Sequence, residues 1–236
     1  DYIALKLTGE VTTTKNGLSE GMLWDYKDNK VADWLLDYYG IDQSLTPRIV
    51  ENFTNQGVTN EKGAQESGLP AGIPIVYRAG DQPNNAFSLG VLQPGDIATT
   101  AGTSGVVYGI SDELKYDTFN RVNSFAHVNY RSESKRIGVL MCINGTGILN
   151  RWVKQTVCPE LSYSEMNSLA ASTSIGSKGL LCVPFGNGAE RIFQNQQIGA
   201  SFEHLDFNRH GRAEMIRSAQ EGIAFSMAYG IEMLAD

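Results

Sequence analysis

The sequence has no apolar run of the ~18 residues that a membrane-spanning helix needs, and no charged-then-apolar leader at its start. It has no Lys/Arg cluster: 19 basic and 26 acidic side chains give a formal charge of −7, which argues against a nucleic-acid surface. Its three cysteines, Cys142, Cys158 and Cys182, are odd in number and in no metal-ligand spacing, so they read as free thiols of a reducing compartment. His127, His204 and His210 lack metal-like spacing too, no serine sits in a nucleophile elbow, and no GxxxxGK(S/T) occurs. These absences set aside membrane proteins, DNA binders, zinc and serine hydrolases and P-loop enzymes, and a cytoplasmic location is expected. The sequons at Asn52 and Asn144 are then chance matches.

What is present is an ordinary apolar share, 42% of 236 residues, sufficient for one large domain or parts of two. No internal repeat or low-complexity segment appears. The chain begins at Asp1 without a methionine and stops at Asp236 in a helical pattern without a C-cap, so a piece of a longer protein is expected.

Residues 73–105 organise the rest. Two apolar runs there each break into a small-residue turn with a polar group. Ile73-Pro74-Ile75-Val76-Tyr77 leads to Gly80-Asp81, and Ile97-Ala98-Thr99-Thr100-Ala101 leads to Gly102-Thr103-Ser104-Gly105. Both runs read as strands. A carboxylate just past a strand end is open to a crevice beyond the sheet, and Gly-Thr-Ser-Gly offers N–H groups and hydroxyls as a phosphate cradle. A carboxylate facing an anion cradle suits moving a phosphoryl group onto an alcohol.

Along the chain, Tyr2–Gly9 reads as a helix tail closed by Gly9, and the following fifteen Thr-, Gly- and Ser-rich residues as a loop able to line a site. Val31, Trp34, Leu35 and Tyr38 have helical spacing before Gly40. Thr59 is the expected N-cap of a helix ending at Gly68; Pro83 suits the first turn of a short helix reaching Leu89. A domain boundary is placed near Gly90. Gly105–Ile110 should pair with the Ile97 strand as a hairpin. Ile137–Ile143 is a strand buried on both faces, followed by Asn144-Gly145-Thr146-Gly147 and a helix through Leu149, Trp152 and Val153. Ser162 and Glu165 have capping-box spacing before a helix to Ala171, and Gly179–Phe185 is a further strand. The last helix, from about Arg212, aligns Ile216, Ala219, Ile223, Met227, Ile231 and Leu234, with Gly222 and Gly230 suited to close helix–sheet packing. Strands alternating with helices, with Gly-rich turns at strand ends, give an α/β architecture.

Each chemical candidate carries a plainer alternative. Asp81 can act as a general base toward a hydroxyl, or cap the helix beginning near Pro83. Gly102–Gly105 can hold phosphate or be an ordinary tight hairpin. Asn144–Gly147 can meet a nucleotide at a helix N-terminus, or serve close strand–helix packing. Trp24-Asp25 and Trp34 read as packing residues rather than a sugar platform.

The runs Asp1-Tyr2-Ile3 … Leu7-Thr8-Gly9-Glu10, Gly80-Asp81, Gly102-Thr103-Ser104-Gly105-Val106 and Arg217 … Gln220-Glu221-Gly222-Ile223-Ala224-Phe225, in this order and spacing, resemble the FGGY carbohydrate kinases over essentially the whole chain. Leu69-Pro70-Ala71-Gly72-Ile73-Pro74 and Ser124-Phe125-Ala126-His127 bring it nearest to members acting on D-xylulose. The resemblance implies an actin-like ATPase (ribonuclease-H-like) α/β fold, with two domains closing over a cleft and homodimers among its members. Residues 1–89 would be the second part of the sugar-binding domain and 90–236 the first part of the nucleotide-binding domain. Family members are about twice this length, so this chain alone would be inactive.

The implied reaction is phosphorylation of the 5-hydroxyl of D-xylulose by ATP with Mg2+. Another ketose or polyol (ribulose, glycerol, gluconate), or a non-catalytic sugar- or nucleotide-binding module, is the alternative. By resemblance Asp81 matches the catalytic base, and Gln82, where most members have Asn, is the neighbour that touches sugar. Thr103, between Gly102 and Ser104, matches the threonine near the terminal phosphate. Gly147 matches a glycine contacting the nucleotide, and Arg151 a position touching it in some members. No residue of this chain is assigned to a metal.

Overall fold

In the computed structural model, which describes residues 1–235, the early helices end where glycine takes up left-handed backbone. Helices α1 (Tyr2–Thr8) and α3 (Asp33–Tyr39) stop at Gly9 and Gly40, at φ 79° and 65°, as the sequence predicts. The open helix end expected at Asp236 lies outside the described residues.

The chain divides into two compact units: residues 1–96, 110–115 and 124–138, and residues 97–109, 116–123 and 139 onward. In the first, the stretch expected to be a loop is structured. Strand β1 (Thr12–Thr14) pairs in parallel with β4 (Arg48–Val50), and helix α2 (Lys15–Glu20) starts directly from it, capped by Thr14 through the Gly17 N–H. Strands β2 (Trp24–Asp25) and β3 (Lys30–Val31) form a short antiparallel pair. Val31 therefore belongs to a strand, and in α3 it is Leu36 that is buried while Trp34 and Tyr38 are exposed.

Helix α4 (Glu61–Ser67) is capped by Asn60, one residue after the expected Thr59, whose hydroxyl instead donates to Pro70 O. The expected strand at Ile73–Tyr77 does not form. Pro74 has no N–H for a ladder, and only one isolated bridge, Val58 to Pro74, is present. The segment is instead bonded to an irregular loop, with Phe53 N–H donating to Val76 O (2.7 Å) and Ile75 N–H to Gly57 O (2.8 Å). It leads straight into helix α5 (Asp81–Ser88), with Pro83 in its first turn.

The second unit is built on strands β5 (Ile97–Ala101) and β6 (Gly105–Ser111), an antiparallel hairpin closed by the pair Ala101–Gly105. Strand β8 (Ile137–Ile143) is almost wholly buried as expected; strand β7 (Asn123–Ala126) falls mainly within the first unit's residues. Helix α6 (Gly147–Thr156) follows β8, and α7 (Tyr163–Ala171) carries the predicted Ser162–Glu165 capping box. Strands β9 (Leu181–Phe185) and β10 (Gly199–Glu203) pair antiparallel, and α8 (Arg212–Ala235) closes the unit.

Leu149, Val153, Met166, Cys182, Ile216 and Ala219 form one buried cluster, each large side chain there worth about 1.5–3 kcal/mol. A Cβ on Gly222 would overlap Cys182 O, so this glycine lets α8 lie directly on β9. Cys158 and Cys182 form no disulfide. Among the described residues no helix is long and apolar enough to cross a membrane.

Candidate functional site

In the first unit, Asp81 is the first residue of α5 and Gly80 is its N-cap, which removes the capping role as an explanation of Asp81. The side chain is exposed, at the helix end where a negative charge is favoured. Its Oδ1 accepts from the Gln82 N–H (2.8 Å) and its Oδ2 from Gln82 Nε2 (3.4 Å). These two predicted substrate residues are therefore coupled to each other.

The backbone entering α5 has no sheet ladder and is held by side chains. Arg78 N–H donates to Asn52 Oδ1 (3.2 Å), Asn16 Nδ2 donates to Arg78 O (3.3 Å), and Gly80 N–H donates to Glu20 Oε1 (3.2 Å). Asn52 in turn donates to Asn16 Oδ1 (3.1 Å) and accepts from Gln56 Nε2 (3.2 Å), whose Oε1 accepts from Arg78 Nε (2.9 Å). Asn16, Asn52 and Gln56 are buried, so each needs these partners.

Burial raises the Glu20 carboxyl above its ordinary value and the charge of Asp81 adds to it, while the Gly80 N–H works the other way. A Cβ on Gly80 would overlap the Glu20 carboxylate, so a side chain there would have to push the Glu20 carboxylate aside. Tyr77 bonds Asn84 of α5 through its hydroxyl (3.0 Å) and packs against Phe53 and Phe87. Of the tryptophans weighed as packing residues, Trp24 is buried and Trp34 exposed.

In the second unit the structure brings Gly102, Thr103, Ser104 and Gly147 together. Gly147 N–H donates to Gly102 O (2.9 Å), Ile148 N–H to Thr103 O (3.1 Å) and Ser104 Oγ to Asn144 Oδ1 (3.0 Å). The first N–H groups of α6 are thus taken by the hairpin. A Cβ on Gly147 would overlap Gly102 O, which gives this glycine a packing reason of its own. Residues 102–104 are exposed, and no described residue partners the Thr103 hydroxyl.

One turn along α6, Arg151 lines a cavity of about 500 Å³ with Trp152, Pro184, Asn187 and Phe202. The guanidinium has no hydrogen-bond or ion-pair partner among the described residues. The Cys182 thiol at the wall is pushed up to about 11 by burial. Among the described residues no group of three or more His, Cys, Asp or Glu side chains could hold a metal ion.

The sequence reading missed Glu20 and the amide network. Glu20 meets Gly80 across sixty residues, and nothing in the local pattern marks that contact.

Two family models match the chain: "FGGY family of carbohydrate kinases, N-terminal domain" over residues 1–88, and its C-terminal domain over residues 97–236. A xylulose kinase of Staphylococcus xylosus is 25% identical over 99% of this chain and 47% of its own length. An autoinducer-2 kinase of Klebsiella pneumoniae is 27% identical over 100% of this chain and 45% of its own. The crystal structure of xylulose kinase from Rhodospirillum rubrum superposes with a TM-score of 0.87 at 26% identity, covering 100% of this chain and 47% of that one. The chain spans about half the length of the curated relatives it matches, and its fold is the corresponding part of their actin-like α/β fold.

Proposed function

We propose, since the chain belongs to the FGGY family of carbohydrate kinases, that it is part of an ATP-dependent sugar kinase converting D-xylulose to D-xylulose 5-phosphate. The observation that carries this reading is the exposed Asp81 carboxylate, fixed on the first turn of α5 and, among the described residues, bonded only to Gln82. As the sugar hydroxyl attacks, Asp81 takes its proton; the new phosphate ester bond forms, and the bond to the departing ADP breaks. ATP with Mg2+ supplies the phosphoryl group. Gln82 orients Asp81 and the sugar, and residues 1–89 form the sugar-side part.

In residues 90–236, Gly102, Thr103 and Ser104 present an exposed loop whose Thr103 hydroxyl no described residue engages, suited to the terminal phosphate. Arg151, unpaired among the described residues beside an aromatic-walled cavity, suits the rest of the nucleotide. The names of the xylulose kinase relatives support D-xylulose as acceptor. The autoinducer-2 kinase at comparable identity favours a second reading, an acceptor other than D-xylulose.

The test is a coupled assay of the full-length protein with MgATP and D-xylulose, beside D-ribulose, glycerol and gluconate. Preference for D-xylulose is expected, with Asp81→Ala losing about 10²–10⁴-fold in kcat/KM. Preference for another acceptor moves the substrate alone. No transfer to any of them by a folded, ATP-binding protein would make it a non-catalytic module.

A further inference from the structure

We propose that Glu20 is a positioning residue for Asp81, holding the Gly80 N–H so that the first turn of α5 presents the carboxylate to the sugar hydroxyl. The inference rests on the reading of Asp81 as general base. Its first ground is mechanical. The three residues before Asp81 hang on side-chain bonds, and α2 supplies two of them, Asn16 to Arg78 O and Glu20 to Gly80 N–H. Glu20 holds the last backbone N–H before the base. Asn16 is itself locked by Asn52, so α2 is a fixed platform rather than a loose helix end.

The second ground is energetic. A half-buried carboxylate kept only for stability is normally paired with a cation, and no described residue forms an ion pair with Glu20. The titratable groups facing it are Asp81, Tyr77 and Tyr26, none of them a cation. Glu20 binds its proton more tightly in the folded than in the unfolded chain. Stability is therefore lost as pH rises from about 4.5 through its raised value, and stays lost at neutral pH. A carboxylate whose ionisation costs stability while it grips the base's own turn has the profile of a group retained for activity. The carboxylate is also a better anchor than an amide, because it only accepts and cannot flip an NH2 toward the N–H.

The experiment measures kcat, KM for sugar and thermal midpoint for full-length Glu20→Ala, Glu20→Gln and Asp81→Ala. Glu20→Ala is expected to lose about 10–100-fold in kcat with KM for sugar within about threefold, since the base is misplaced rather than removed. Its midpoint should match or exceed wild type. Glu20→Gln, which still offers an oxygen to the Gly80 N–H, is expected to recover most of kcat. Its stability advantage over wild type should appear only as pH rises above about 4.5.

Wild-type kcat in Glu20→Ala would overturn the proposal. So would a kcat loss that accompanies a lowered midpoint, or a Glu20→Gln no better than Glu20→Ala. Asp81→Ala separates the two readings: if it keeps activity, the base assignment fails, whatever Glu20 does. If it alone is inactive, only the role of Glu20 fails.

Discussion

Gly147 shows how a single residue can satisfy two accounts. By resemblance it matches a nucleotide contact; in the structure its N–H is spent on Gly102 O and its missing Cβ is the space that carbonyl occupies. The overlap is with backbone, which cannot rotate away, so a methyl group must move the hairpin or the helix. Gly147→Ala is therefore expected to destabilise by about 1–3 kcal/mol, read as a lowered thermal midpoint without nucleotide. A variant with the wild-type midpoint and only a raised KM for ATP would remove the packing role. Arg151 is the opposite case: it engages no described partner, so its candidacy rests on what it is free to reach.

At the scale of elements, the start of α8 joins local capping to a longer contact. Glu214 reaches back to the Gly211 N–H (2.9 Å), as in half a capping box, and accepts from Thr173 Oγ1 (2.9 Å) while Lys178 Nζ lies 2.7 Å away. The Lys178 ammonium above all, then the Gly211 N–H, holds this carboxyl down at about 2 from an ordinary 4.5. The stabilisation is thus complete above pH 4.5 and lost as pH falls toward 2. Glu214→Gln should unfold more easily than wild type at pH 7, the gap narrowing as pH falls from about 4.5 toward 2 in denaturant titrations. A gap independent of pH would remove the charge from the explanation.

Elements whose cause is local were legible in the same way. The Gly9 and Gly40 stops, the Ser162–Glu165 box and the hairpin around Gly102–Gly105 each depend on residues within a few positions. Helix α2 was not legible, because Gly17 and the threonines before it carry a loop's composition and the helix depends on the Thr14 cap. The Ile73–Tyr77 run has a strand's composition, yet Pro74 and backbone bonds to the irregular loop around Phe53–Gly57 decide its conformation. Asp81 was visible as a carboxylate after a glycine. What places it, Glu20 and the Asn16–Asn52–Gln56 network, was not, since amide contacts at that separation leave no periodic trace.

At the scale of the whole molecule, the proposed reaction asks for several things at once: an acceptor hydroxyl held at a base, a phosphoryl donor held in line, and charge stabilised on the moving group. The chain offers Asp81 and Gln82 as candidates for the first, and Thr103 and Arg151 as candidates for the second. The xylulose kinase relatives carry about as much chain again outside the part it matches. If those further residues complete the donor and acceptor sites, the 236-residue polypeptide alone should give no turnover above background with D-xylulose and MgATP, even when circular dichroism shows it folded. The full-length protein should turn over under the same conditions. A robust rate from the 236 residues alone would mean that the base, the hairpin and Arg151 suffice for transfer. Binding energy supplied by the rest of the relatives' chain would then tune the reaction rather than make it possible.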